Sequence, residues 1–349
     1  MEANIVKTEE TARAIVAEGR GILAADETVP TISKRLTAKG IESTSDSRRA
    51  FRELFFTTPG VEKFLGGVIL QDETIRQNSS LKTPLAGLLI DRGIIPGIKV
   101  DDGAHPMAGA PGELITEGLD GLRQRLVEYR KLGARFCKWR AVLSIGDGRP
   151  SMRCIHANAH ALARYAALCQ EQSLTPIVEP EVLMDGSHDL ARCEEVTGLV
   201  LRAVFRSLVE ERVFLEGILL KPNMVTAGRD AHKQASVSEV AEATLRTLVR
   251  NVPAAVPAIV FLSGGQSPVL ASQHLDAINE LEQSKPWTLS YSYGRALQDE
   301  ALNTWQGRKE NLVAAQHAFY HRARCDSAAV LGRYRPELEA ETEPDFAQA

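Results

Sequence analysis

Seven charged residues stand in or beside apolar runs. Asp26 closes ILAAD (22–26), Lys99 lies in PGIKV (96–100), and Lys138 and Arg140 lie in RFCKWRAVL (135–143). Glu179 and Glu181 follow in TPIVEPEVL (175–183), and Lys221 in GILLKPNMV (217–225). Short apolar runs of this kind read as buried strands. An unpaired ion in a packed interior is strongly disfavoured, so these groups must pair or line a wet pocket. Side chains alternate along a strand, which puts Lys138 and Arg140 on one face and likewise Glu179 and Glu181. Lys221 is the most informative of them. Pro222 ends its run and holds its backbone, while burial and a neighbouring cation such as Lys138 favour the uncharged amine. An uncharged amine is what attacks a carbonyl. The alternative is that Lys221 pairs with Glu179 or Glu181 and only ties strands together.

Positioning such a set requires several strands that end on the same side. Three more apolar runs, GGVILQ (66–71), AIVFLSG (258–264) and WTLSYS (287–292), bring the number to eight. The stretches between them carry apolar residues at helical spacing, as in 157–168 and 237–248. Strand–helix repeated in this way predicts an α/β fold, a single-domain parallel (β/α)8 TIM barrel, with its active site at the C-terminal ends of the strands. An open doubly wound sheet would carry a glycine-rich turn after its first strand, and ILAADETVP has no glycine. The Gly/Pro-rich stretch 103–113 reads as a loop. No linker divides the chain, so the barrel is assigned to residues 1–335. The acidic residues 336–349 are assigned to a solvated, mobile tail.

Composition excludes several classes of function. The 349 residues carry 41 Lys plus Arg against 45 Asp plus Glu, a net charge of −4 without the basic excess of a nucleic-acid binder. No apolar run is long enough for a membrane span, and the N-terminal stretch lacks a signal-peptide core. Five cysteines, an odd number with no C-x-x-C pair, argue against disulfides or a thiolate zinc cage and for a reducing cytoplasm. His156 and His160 are four residues apart, as are His317 and His321, and neither pair lies in H-E-x-x-H. They are assigned to helix surface or packing, and no metal is expected.

In this order and spacing, LAADE, GIKVD, KWR, VEPE, LLKPNM, FLSGGQS and SYGRAL resemble the class I (Schiff-base) fructose-bisphosphate aldolases. GGVIL, GLDGL, LARYA and KENL extend the resemblance from about Gly21 to about Tyr334. It implies reversible cleavage of fructose 1,6-bisphosphate, with no cofactor beyond a covalent imine on Lys221. Glu179 matches the family's acid–base carboxylate, with Glu181 beside it. Asp26 resembles the carboxylate that holds the carbinolamine and accepts the C4 hydroxyl proton. Lys138 corresponds to a lysine near the reacting carbons, and Lys99 and Arg140 look like supporting charges. Two phosphates need two anion sites. Ser263, Gly264 and Gly265 after the seventh strand, with Ser292, Gly294 and Arg295 after the eighth, suit one of them. For the other the family uses the loop after the first strand, here Thr28, Thr31, Lys34 and Arg35, with threonines where serines are commoner. Lys34 and Arg35 could instead form a solvated basic turn. The resemblance also implies a homotetramer.

Many relatives end in a tyrosine that shuttles the C3 proton. This chain ends in DFAQA, so that transfer is expected to be slower or served by another group. Other imine chemistry on a monophosphorylated sugar, or a binding-only scaffold, are the competing readings. The former would need one phosphate site only, and the latter would have little use for Lys221, Lys138, Glu179 and Asp26 together.

Overall fold

The computed structural model describes residues 2–341. Its frame is a closed parallel barrel of β1 (Gly21–Ala24), β2 (Leu65–Leu70), β3 (Ile95–Lys99), β6 (Phe136–Leu143), β7 (Thr175–Val182), β8 (Leu219–Leu220), β9 (Ala258–Phe261) and β10 (Thr288–Tyr293). All eight expected runs become barrel strands, and β10 closes the ring by pairing with β1. A hairpin of β4 (Gly103–Pro106) and β5 (Leu114–Glu117) stands outside the ring, where the sequence suggested a loop. It is held from the side, because Thr116 donates through Oγ1 to the Arg140 carbonyl at 2.8 Å.

Helices follow the strands as the spacing required. They are α1 (Glu2–Ile15), α2 (Val29–Thr37), α3 (Ser45–Phe56), α4 (Asp72–Arg76), α5 (Leu85–Asp91), α6 (Leu122–Lys131) and α7 (Met152–Glu171). The second half adds α8 (Leu190–Glu210), α9 (Val237–Asn251), α10 (Pro268–Glu280), α11 (Arg295–Trp305) and α12 (Leu312–Val330). Several starts are fixed locally. Ser236 and Glu239 form a reciprocal capping box for α9, and Ser267 caps α10 ahead of Pro268.

The barrel interior has two levels. At one end Ala12 and Ile15 of α1 and Val16 just after it pack against Ile22, Ile69, Phe136, Ile177, Leu219 and Val260, so this helix covers the N-terminal mouth with apolar side chains. The outward strand faces join the helices in one continuous apolar core that includes Trp139, Trp287 and Trp305. All five cysteines are free and buried, as the absence of a disulfide pattern implied. With the N-terminal end filled by hydrocarbon, the charged residues are left to the C-terminal ends of the strands.

The acidic terminus differs in part from its expected solvation. Residues Pro336–Ala340 form a short 3-10 turn, and Glu339 folds back onto the buried Arg322 of α12. An acidic residue here is drawn in by a guanidinium that has little water of its own. Residues 342–349, including Phe346, lie outside the described part of the chain.

Candidate active site

Parallel register brings the charges to one level. Lys99 of β3 lies beside Lys138 of β6, and Arg140 lies beside Glu179 of β7. Asp26 follows β1 by two residues. Lys221 follows the short β8 directly, its N–H bonded to the Val178 carbonyl at 2.8 Å. Pro222 has no N–H to continue the ladder. Beyond it Asn223 keeps this segment tied to β7, accepting from the Val182 N–H through Oδ1 at 2.9 Å.

Four side chains close into a buried network. Lys138 Nζ stands 2.5 Å from Asp26 Oδ2 and 3.4 Å from Glu179 Oε2, and Lys221 Nζ stands 3.2 Å from Glu179 Oε1. Lys138, Glu179 and Lys221 are each under 5% exposed, a degree of burial that ions tolerate only when paired. Lys221 is therefore paired with Glu179, as the alternative reading held. Its partner, though, is the carboxylate to which the resemblance assigns proton transfer, not a remote structural group.

The electrostatics follow from this packing. Burial works to raise the Asp26 pKa, but the charges of Lys138 and Lys221 outweigh it and hold the carboxyl below its usual 3.8. Burial likewise works to lower the Lys138 pKa, and Asp26, Glu179 and Asp101 overcome it, so the ammonium is held above its ordinary range. The site thus holds a firmly charged Lys138 against an ionised Asp26. Beside them Arg140, its side chain 42% exposed, reaches Glu181, Nε to Oε2 at 2.5 Å. Partial desolvation works to lower its pKa, and Glu181 outweighs it and holds the guanidinium above its ordinary range.

Asp101 was not singled out by sequence reasoning. Its Oδ1 pairs with Lys99 Nζ at 2.6 Å and accepts from the Gly103 N–H at 3.1 Å, while Oδ2 accepts from the Arg140 N–H at 3.2 Å. It ties the end of β3 to the backbone of β6 and holds the Lys99 ammonium. The doublet Asp101-Asp102 after an apolar run was the only available signal, and such acids are common in ordinary loops.

Two polar sets flank the network. Gly264 and Gly265 both adopt positive φ, 58° and 88°, a conformation that exposes successive N–H groups and suits glycine. Ser263 is half-buried beside them, and Arg295 begins α11 directly after Gly294. Ser292 is 1% exposed, and its hydroxyl has no hydrogen-bond partner among the described residues. On the other side, Thr28, Thr31, Lys34 and Arg35 belong to the start and body of α2 rather than to a loop or turn. Thr28 and Thr31 bond each other at 3.0 Å, and Lys34 is exposed. Arg35 is engaged by Glu27, by Gln298 Oε1 at 2.6 Å and by Asp299 Oδ1 at 2.8 Å. A phosphate on this side would have to compete with two carboxylates for that guanidinium.

His156 and His160 lie on α7, and His317 and His321 on α12, as expected of helix residues. His321, Cys325 and Glu339 bring one potential ligand atom each within 4.8 Å of one another. The Glu339 carboxylate is already forked by Arg322, whose fixed charge opposes a cation there.

A buried lysine and carboxylates at the C-terminal mouth of a parallel barrel, flanked by a turn of two positive-φ glycines, place this chain among the (β/α)8 barrel proteins with a polar site at the catalytic end of the barrel. Comparison with known proteins narrows this. Residues 7–347 match the family described as fructose-bisphosphate aldolase class-I. The chain is 55% identical over 333 residues to a probable fructose-bisphosphate aldolase class 1 of Xylella fastidiosa, covering 95% of this chain and 99% of that protein. It is 54% identical to the cytosolic fructose-bisphosphate aldolase 6 of Arabidopsis thaliana, over 92% of this chain and 89% of the relative. The solved structure of fructose-bisphosphate aldolase from Plasmodium falciparum superposes with a TM-score of 0.95 at 47% identity, covering 96% and 97% of the two chains. The chain belongs to the class I fructose-bisphosphate aldolase family. Its reaction is the reversible aldol cleavage of fructose 1,6-bisphosphate to dihydroxyacetone phosphate and glyceraldehyde 3-phosphate through a lysine Schiff base, in glycolysis and gluconeogenesis.

Proposed function

We propose that Lys221 is the lysine that forms the Schiff base, with Glu179, Asp26, Lys138 and Glu181 carrying the remaining steps. The carrying observation is Glu179, which bridges Lys221 at 3.2 Å and Lys138 at 3.4 Å. Lys221 must give up a proton before its nitrogen attacks C2 of the ketose, and Glu179 Oε1 is in reach to take it. The same carboxyl returns a proton to the C2 hydroxyl, which leaves as water and yields the iminium. The iminium draws in the electrons of the C3–C4 bond, while Asp26 accepts the C4 hydroxyl proton as the aldehyde product forms. Lys138 keeps Asp26 ionised for that task, and the Arg140–Glu181 pair fixes the polar wall beside it. Protonation at C3 and hydrolysis release dihydroxyacetone phosphate and restore the amine.

The residues Ser263, Gly264, Gly265, Ser292, Gly294 and Arg295 form one phosphate site in this reading. The residues Thr28, Thr31, Lys34, Arg35 and Lys99 form the other. No metal takes part, because the protonated imine supplies the electron sink. The enzyme works in the cytoplasm, as the names of its cytosolic and cytoplasmic plant relatives support, and it assembles as a homotetramer. Borohydride reduction in the presence of dihydroxyacetone phosphate, followed by peptide mass mapping, tests the chemistry. The expected result is a stable adduct on Lys221 and cleavage that chelators leave unchanged. Chelator-sensitive cleavage without an adduct refutes it, and sedimentation analysis checks the tetramer.

A further inference from the structure

We infer that Arg229 is a second guanidinium of the phosphate site at the ends of β9 and β10, facing Arg295 across the glycine turn. The inference rests on the site reading above and adds a residue to it. A Cβ placed on Gly265 would lie 2.9 Å from Arg229 Nη2 and 3.9 Å from Arg295 Nη2. The two nitrogens are therefore within about 7 Å of each other, above the same residue of the turn. Charge-assisted N–H···O⁻ bonds run at about 2.8 Å, so nitrogens no farther apart than this bound are close enough for one phosphate group to accept from both. Among the described residues Arg295 makes no ion pair within 4.0 Å, and that of Arg229 is weak. The ion pair of Arg229 is to Asp185 at 3.9 Å, with both side chains more than half exposed, a pairing worth little in water.

The backbone that presents Arg229 is fixed rather than loose. Its N–H donates to the Met184 carbonyl at 2.7 Å, and the flanking Gly228 and Asp230 N–H groups donate to His188 and Gly186 at 2.8 and 2.9 Å. Gly228 is needed for that approach, since a Cβ there would meet the Gly186 carbonyl oxygen at 2.2 Å. The segment after β8 is thereby stitched to the segment after β7, and Arg229 leans from this support toward the turn after β9. Like charges held close repel, and a dianion placed between them removes that repulsion while gaining bonds from both.

The test compares Arg229→Gln and Arg229→Lys with the native enzyme, using steady-state kinetics on fructose 1,6-bisphosphate and borohydride trapping on Lys221. The expected result for Arg229→Gln is a KM raised about tenfold or more with kcat within about twofold, as for loss of one charged phosphate contact. Trapping should need correspondingly more dihydroxyacetone phosphate, while trapping with unphosphorylated dihydroxyacetone stays unchanged. Arg229→Lys should recover part of the loss. An unchanged KM, or an equal loss for the phosphorylated and unphosphorylated ketones, overturns the assignment. If the native enzyme gives no adduct at all, the imine reading itself has failed, and that outcome is distinct from failure of Arg229.

Discussion

Glu179 is the residue on which charge and proton transfer meet. It is buried between two ammonium groups, and its Oε2 makes no hydrogen bond among the described residues. Glu179→Gln keeps the shape and removes the ability to exchange a proton. The expected effect is a fall in kcat of about 10²- to 10⁴-fold with a much smaller change in KM, the range for loss of a positioned acid–base group. Steady-state kinetics checks it, and a variant with near-native kcat would leave Glu179 a structural counter-ion only. Asp26, Lys138, Glu179 and Lys221 were legible in the sequence because an ion inside an apolar run is improbable without a partner. Asp101 was not, because its bond from the Arg140 N–H exists only once β3 lies beside β6, and an acid two residues from Lys99 is by itself an ordinary local pair. Arg229 escaped for a similar reason. It sits in a polar stretch where one arginine attracts no notice, and only the fold carries it over Gly265.

The strands determine how accurately these groups meet. β3 carries Lys99 and pairs with β6 through Gly97 opposite Phe136 and Lys99 opposite Lys138. Gly97 lets the buried Phe136 ring lie against its backbone, since a Cβ at that position would stand 2.2 Å from the ring edge. Gly97→Ala therefore forces apart two strands that both hold site cations, at a cost of about 1–3 kcal/mol for overpacking. Thermal unfolding should show a Tm lowered by a few degrees, and kcat/KM should fall as well, because Lys99 and Lys138 are displaced with their strands. A variant of native Tm would mean that the ring turns aside without strain. The eight strands were legible because a parallel barrel buries both strand faces and leaves unbroken apolar runs. The β4–β5 hairpin was not, since its glycines and prolines mark turns whether or not the chain between them pairs. The helical character of 29–37 was hidden in the same way, because a phosphate-binding loop and a short helix start can share the same threonines and cations.

At the scale of the whole molecule, the terminal segment is tied to the barrel through polar groups that lie away from the Lys221–Glu179 network. Arg322 and Asp326 are each 1% exposed on α12. Asp326 accepts from Ser272 Oγ of α10 at 2.6 Å, and Arg322 forks Glu339 of the terminal turn. Tyr334 closes the arrangement by donating its hydroxyl to Glu339 at 2.7 Å and its N–H to Asp276 at 2.8 Å. No periodicity announces such a set, because acids near a chain end ordinarily stay in water and the burial of Arg322 arises only when α12 packs against α10 and α11. The charged groups facing Asp326 are Arg322, which favours its ionised form, and Glu339 and Glu300, which oppose it. Burial is the largest influence and pushes its pKa up to about 7 from 3.8. A carboxyl raised by folding binds its proton more tightly in the native state. Its contribution is full below the unfolded value and is lost as pH rises through about 7. Asp326→Asn mimics the protonated form at every pH. Relative to the native chain, it should already be stabilising by about 1–2 kcal/mol at pH near 5, and by about 4 kcal/mol at pH near 8. Thermal unfolding of both proteins across that range measures the difference. A gap that stays constant with pH would show that Asp326 is ionised throughout, held by Arg322 against its burial.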